Sequence, residues 1–355
     1  MIHLTRSGTV STYSRAEMER LSFEFREHHC ITLPGLLPSG MLEMLRRQIA
    51  HAEFETRIHR HVTPHPVDFC MKANACSGLL HFLTNDPLFL ALVEELTQVG
   101  DIGGFAGSVY RLDPSPATSD VWHSDAQRDR MLALSLNLSV GAYSGGLLQI
   151  RERRSQRIVH QVANIGSGDA ILFAIAPTLQ HRVSPIEGTV SRTAFAGWFH
   201  AAPRDRPPST PSLWTSTGDL PSETGPESAS TDASSAANAR MTSTLQSEIR
   251  VADEIFFRAH DDVLVLYDAR VGSSYALNRV GRRIWVLLSE NHTLPAVMDL
   301  LAREYDVPPE NLHREVLALV EELAAAGLVT IVEKPAEIPS MGMPHRPTAH
   351  PERHA

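Results

Sequence analysis

Between Arg130 and Val140 the chain reads RMLALSLNLSV, in which Leu132, Leu134, Leu136, Leu138 and Val140 alternate with Ala133, Ser135, Asn137 and Ser139. Only an extended strand sends successive residues to opposite faces, so this run specifies a strand with one apolar and one more polar side. Further segments of strand length follow: LLQIRE after the turn YSGG, RIVHQVA after RRSQ, AILFAI after NIGSGD, and later SRTAFAGWFH. Short strands at regular spacing with Gly-marked turns build an antiparallel sandwich or barrel such as a jelly roll. Helices flank it. In AEMERLSFEFREHHCITLPGLL, the helical spacing of Met18, Leu21 and Phe25 gives way to the alternation of Ile31 and Leu33, and Ser39–Ala50 carries Met41, Leu42, Leu45 and Ile49 on one side.

The composition then breaks. Pro207, Pro208, Pro211, Pro221 and Pro226 are interleaved with Ser, Thr, Ala and Asp across 203–248, a stretch with too little apolar surface to offset its chain entropy. It reads as a disordered linker. Prolines also interrupt 335–355, so that tail reads as disordered and its His345, His350 and His354 as solvated. Two folded regions remain, 1–202 and 249–334. The second opens with the β-rich runs EIFFRAH, VLVLYDA and SSYALN, followed by helical patterns at Arg279–Ser289, Thr293–Tyr305 and Glu310–Ala326. Gly327 stops the last helix, Trp285 sits among apolar neighbours as a core residue, and the unit is α+β and winged-helix-like.

Charge excludes one class of partner. The net charge is −9, and the span 250–334 carries nine Lys and Arg against fourteen Asp and Glu, so neither whole nor part offers the basic footprint that nucleic acid needs. No apolar run approaches the roughly 18 residues of a membrane span, and the first residues contain no signal-peptide-like stretch. Cys30, Cys70 and Cys76 form no even disulfide framework. A soluble, cytoplasmic protein with no membrane or nucleic-acid partner is expected; the sequence leaves its oligomeric state open.

Candidate chemistry lies in VWHSDAQ and PTLQHRVSP. Residues two apart on a strand point the same way, so His123 and Asp125 can present an imidazole and a carboxylate together, and His181 from a distant strand completes a two-histidine, one-carboxylate set. Such a set leaves three positions of a six-coordinate iron(II) open. Arg192 follows eleven residues after His181, and its guanidinium can fix a carboxylate by two parallel hydrogen bonds. A second histidine group, His59, His61 and His65, lies in a Pro-interrupted loop and competes as a metal site. The run Arg151, Arg153, Arg154 and Arg157 reads either as a solvated hairpin tip or as a site for an acidic substrate.

These segments, from Val109 to Ala202, occur in the order VYRLDP, HSD, LSLNLS, SGGLLQI, GSGDAILF, HRVSPI and RTAFAGWF. In that order they resemble the prolyl-4-hydroxylase-like class of 2-oxoglutarate- and iron-dependent oxygenases. The resemblance implies a mainly β domain folded as a double-stranded β-helix, with iron(II) held by His123, Asp125 and His181, and with dioxygen and 2-oxoglutarate as cosubstrates. It implies that Arg192 pairs with the distal carboxylate of 2-oxoglutarate and that Tyr110 and Asn137 help to line the pocket. Many members carry Ser or Thr two residues after the arginine, where this chain has Ala194. Halogenases of the class lack the carboxylate ligand; Asp125 is present, which favours hydroxylation or another oxidation that starts by hydrogen abstraction.

VLVLYDARVGSSYALNRVGRRIWVLL and the helices that follow, ending in LAAAGLV, resemble PqqD-like proteins, which capture the leader segments of ribosomally made precursor peptides. The resemblance implies that a leader adds as a strand beside Ser274, Tyr275 and Ala276, with Leu312, Val316 and Leu319 as candidate groove residues, although the three leucine and valine positions serve equally as core. The combined expectation is an oxygenase that oxidises a peptide held by its own C-terminal domain. Two alternatives remain: a peptide-binding scaffold with an inactive barrel, and an oxygenase acting on a free small molecule.

Overall fold

The computed structural model describes residues 1–58, 67–114, 121–127, 129–163, 166–202, 248–260 and 262–332. His59, His61 and His65, the segment 203–247 and the tail from residue 333 lie outside the described residues.

The chain opens with a hairpin, β1 (Ile2–Thr5) and β2 (Gly8–Ser11), then α1 (Arg15–His28), β3 (Cys30–Leu33) and α2 (Ser39–Ala50). Ser14 and Glu17 form a reciprocal capping box at the start of α1, and His29 in the left-handed conformation ends it. A second hairpin follows, β4 (Phe54–Ile58) and β5 (Val67–Met71), then α3 (Ala75–Thr84) and α4 (Pro87–Thr97). Asn74 caps α3, and Asp86 caps α4 with Pro87 in its first turn. The jelly-roll strands come next: β6 (Ile102–Leu112), β7 (Arg130–Asn137), β8 (Ser144–Gly145), β9 (Leu147–Glu152), β10 (Ile158–Ala163), β11 (Ala170–Ala174), β12 (Leu179–Val183), β13 (Ile186–Glu187) and β14 (Arg192–Ala201).

These strands form two facing layers. The large sheet has the order β3-β11-β7-β14-β6-β5-β4, and the small layer holds β10-β9-β12 and the pair β13-β8. The alternation read from β7 sorts its residues as predicted. Leu132, Leu134 and Leu136 join the core formed with the helices, whereas Ala133 packs between the sheets with Leu148, Ile150, Ile171 and Phe173. On β14, Phe195 and Phe199 enter the helical side of the core, and even-numbered residues face the other way. Gly197 is required there: a methyl group on it would strike the Ala106 carbonyl of β6.

After the undescribed segment come β15 (Glu248–Val251), β16 (Ile255–His260), β17 (Val263–Asp268), β18 (Ser273–Leu277), α5 (Arg279–Ser289), α6 (Leu294–Glu304), α7 (Pro309–Ala325) and β19 (Val329–Val332). The order β16-β17-β18 is an antiparallel sheet, and β15 pairs with β19. Thr293 and Ala326, expected inside helices, serve as their caps.

Contacts divide the chain into two compact units, Met1–Thr224 with Asp253–Arg282, and Gly225–Ala252 with Arg283–Ala355. The sheet β16-β17-β18 therefore packs with the N-terminal region, although the sequence groups it with the helices that follow. The reason is a shared core: Phe256, Tyr267 and Ala269 belong to the same buried cluster as the helices α1 to α4. Tyr267 stacks on Phe82 and donates its hydroxyl to the Ala75 carbonyl at 2.8 Å. Arg258 is 9% exposed, lies over the Phe82 ring and donates to the Phe82 carbonyl at 2.7 Å, in the last turn of α3 where carbonyls lack helical partners. Burial lowers its pKa, and the negative charge of Asp86 opposes that. In the second unit, Val297, Met298 and Leu301 of α6 and Leu312, Val316, Val320 and Leu323 of α7 are buried. No single described helix is long and apolar enough to cross a membrane.

Candidate active site

His123 lies just outside any regular strand, contrary to the expectation of a strand for VWHSDAQ, and is positioned by an isolated bridge to His181 on β12. Backbone bonds in both directions, His123 N to His181 O at 3.1 Å and His181 N to His123 O at 2.9 Å, hold the two histidines opposite each other. Their rings meet edge-on with centroids 4.4 Å apart, and the His181 ring also packs against Phe173. Asp125 closes the group: its Oδ2 is 3.4 Å from His181 Nε2 and its Oδ1 is 3.8 Å from His123 Nε2. One ligand atom from each of the three residues lies within 4.8 Å of the others, the size of a single-ion site.

Hydrogen bonds orient the donor set. His123 Nδ1 lies 2.8 Å from the Val121 carbonyl; as donor in that bond it leaves the Nε2 lone pair turned toward Asp125. Burial opposes ionisation of Asp125, but the hydrogen bond and charge of His181, the charge of His123 and a hydrogen bond from Trp198 outweigh it and bring the pKa down to about 2. Trp198 Nε1 donates to Asp125 Oδ2 at 2.8 Å. Arg130 lies 3.5 Å from Asp125 Oδ1 and stacks 3.5 Å from the Trp198 ring centroid.

The triad opens into a cavity of about 410 Å³ between the sheets, lined also by Tyr110, Arg130, Ser135, Arg192 and Trp198. Arg192 opens β14 and is 6% exposed. Its Nη2 donates to Ser135 Oγ at 2.7 Å, while its buried Nε has no hydrogen-bond partner among the described residues. A buried guanidinium with an unused donor beside a cavity calls for an anion, and a carboxylate matches its planar fork. Ser135 places a hydroxyl beside the guanidinium, the group that Ala194 lacks. Tyr110 lines the cavity and accepts a 3.3 Å bond from Arg57.

Asn137, expected in the pocket, is not there. Its amide donates to the Gly166 carbonyl and its Oδ1 accepts from Ser139 N, so it fastens the end of β7 and is 1% exposed. Sequence reasoning missed Ser135, Arg130, Trp198 and Arg57 as pocket residues. Two were accessible by alternation: Ser135 is on the side of β7 opposite its leucines, and Trp198 shares a face with Arg192 at even spacing. Ser274, Tyr275 and Ala276 lie on β18, which has β17 as its only partner in the described sheet. Leu312 and Val316 are buried, and Leu319 is half-buried.

Residues 109–200 match the family model described as 2OG-Fe(II) oxygenase superfamily, and residues 264–329 match that described as Coenzyme PQQ synthesis protein D. The first match contains the whole triad, Arg192, Ser135 and Trp198; the second contains β17 from its second residue, β18 and all of α5 to α7. No curated protein matches the chain. Among solved structures, an oxidoreductase of the 2OG-Fe(II) oxygenase family from Burkholderia pseudomallei is 14% identical, with 57% of this chain and 97% of that one covered at a TM-score of 0.42. A Pseudomonas putida prolyl-4-hydroxylase is 18% identical over 52% and 98% of the two chains, with a TM-score of 0.40. A lasso peptide synthetase B1 complexed with its leader peptide is 31% identical over 23% and 98%, with a TM-score of 0.23. The chain thus carries a match to the 2OG-Fe(II) oxygenase model followed by a separate match to the PqqD model.

Proposed function

We propose that this protein is an Fe(II)- and 2-oxoglutarate-dependent oxygenase that hydroxylates, or otherwise oxidises, a ribosomally made precursor peptide recruited through its PqqD-like region. The observation that carries the reading is the convergence of His123, Asp125 and His181 beside the incompletely bonded Arg192 in one cavity. The two imidazoles and Asp125 would hold iron(II). Arg192, whose Nε has no partner among the described residues, would receive the distal carboxylate of 2-oxoglutarate, and Ser135 and Tyr110 line the same cavity. When bound, the iron with 2-oxoglutarate and dioxygen supplies the oxidising power for hydrogen abstraction. The chain's own part is to keep Asp125 ionised, orient it through Trp198 and Arg130, and shelter the cosubstrate between the sheets.

Recruitment rests on β18. Ser274, Tyr275 and Ala276 present one edge of that strand, so a leader adds there as a further strand by main-chain hydrogen bonds. Leu312 and Val316 are taken up by helix packing, which leaves Leu319 as the groove candidate of the three. Holding the leader on the same chain raises the effective concentration of the core segment at the iron.

The test combines the anaerobically iron-loaded protein, 2-oxoglutarate, air and the products of short reading frames adjacent to its gene, read by mass spectrometry. Gain of an oxygen or loss of two hydrogens in a leader-bearing peptide, abolished when the leader is removed, is expected. Oxidation of the leaderless core at an undiminished rate rejects recruitment, and no oxidation of any such peptide rejects the peptide as substrate.

A further inference from the structure

The arginine-rich turn belongs to a larger feature on the outer face of the small sheet. On β9 and β12, Leu148, Ile150 and His181 face the core and the metal centre, so Gln149, Arg151, Gln180 and Arg182 face the opposite way. Trp122, next to His123, joins this outer face. The Arg151 and Arg182 guanidinium carbons lie 4.3 and 4.6 Å from its ring centroid. Their hydrogen bonds go to neutral amides: Arg151 donates to Gln180 Oε1 at 2.9 and 2.7 Å, and Arg182 to Gln149 Oε1 at 2.7 Å. Neither forms an ion pair among the described residues. Arg153, Arg154 and Arg157 extend the positive charge into the exposed turn after β9.

Two like charges on one indole repel each other, and desolvation and then the charge of Arg182 lower the Arg151 pKa. The cation–π contacts and amide bonds hold the pair in place without neutralising it. A carboxylate can accept from the guanidinium donors that these amide bonds leave open, and its charge offsets the repulsion.

We propose that Trp122, Arg151 and Arg182, extended by the arginines of the turn, form a docking platform for an acidic stretch of the substrate peptide. The assignment rests on the peptide reading above. The strand that carries Arg182 carries His181 on its other face, so a segment held here lies one sheet's thickness from the metal centre while another part of the peptide is oxidised. The net charge of −9 disfavours a long nucleic-acid polyanion as the occupant. Gln149 is engaged at both ends, by Arg182 and by Gln161, which leaves the Gln180 amide nitrogen to pair with a peptide carbonyl.

The test is fluorescence anisotropy of a labelled oligoglutamate with the full-length protein, wild type against the Arg151→Gln, Arg182→Gln double variant, with oligolysine and oligothymidylate as comparison probes. Saturable oligoglutamate binding by the wild type is expected, weakened about tenfold in the variant and by raising salt from about 50 to about 300 mM. The variant should melt within a few degrees of the wild type, because the repulsion it loses offsets the amide and cation–π contacts it gives up. Three results overturn the proposal: no saturable binding by the wild type, equal binding by the double variant, or tighter binding of oligothymidylate than of oligoglutamate. A double variant that melts several degrees lower assigns the cluster to stability and likewise overturns it. Iron and 2-oxoglutarate binding, measured on the same samples, report separately on the oxygenase reading.

Discussion

Replacing Arg192 by Met tests the pocket through stability. In the wild type the guanidinium is 6% exposed, makes one bond to Ser135 and leaves Nε unpaired. A buried donor without a partner costs about 1–3 kcal/mol, and removing a charge that lacks a counterion is neutral or stabilising. Arg192→Met should therefore leave the ligand-free protein as stable as the wild type, or raise its stability by up to about 1 kcal/mol. Ligand then reverses the order. At roughly a hundred times its Kd, 2-oxoglutarate stabilises a protein that binds it by about 2.7 kcal/mol, which for a domain of about 200 residues raises Tm by about 5–10 °C. Thermal melting with Zn(II) in place of iron, with and without 2-oxoglutarate, reads both effects without turnover. The wild type should show the shift and Arg192→Met should not. A variant that keeps the shift, or that melts several degrees below the ligand-free wild type, refutes the assignment of Arg192 as an anion receptor awaiting its ligand.

Arg258→Ala removes a charge-assisted bond and strands the Phe82 carbonyl, so urea unfolding should show a loss of roughly 2–3 kcal/mol at unchanged m; a loss below about 0.5 kcal/mol contradicts the shared core. Trp198→Phe keeps the ring under Arg130 but deletes the bond to Asp125, and iron(II) affinity measured by equilibrium dialysis should fall roughly tenfold with little change in Tm. His81 of α3 sits 2.9 Å from the Gly107 carbonyl, and burial lowers its pKa below the ordinary value. A depressed folded-state pKa gives stability that is present above the unfolded pKa and lost as pH falls through the folded one. Tm of the wild type should therefore drop from about pH 7 to about pH 5, and His81→Leu should flatten that slope; an unchanged slope means that other groups dominate it.

The sequence carried the sheet and the triad for different reasons. Alternation in RMLALSLNLSV is local, so both faces of β7 could be assigned without knowing their neighbours. The grouping of His123, Asp125 and His181 was readable from the ordered segments shared with the oxygenase class and not from strand spacing alone, since His123 lies outside any regular strand. Bonds set by tertiary packing were not readable. Asn137 looked like a pocket residue, but the chain uses its amide to fasten the end of β7 to Gly166 and Ser139. Arg258, in a run that reads as an ordinary strand, is buried against α3 through a partner 176 positions away. Leu312 and Val316 fit a groove and a helix core equally well by periodicity, and only burial separates those roles.

The most direct measurement is iron content after anaerobic reconstitution with Fe(II) and desalting, for the wild type and for Asp125→Ala and His181→Ala. One iron per chain in the wild type, lost from both folded variants, is the predicted result. A wild type that retains no iron, or variants that retain as much, would contradict the account at its centre.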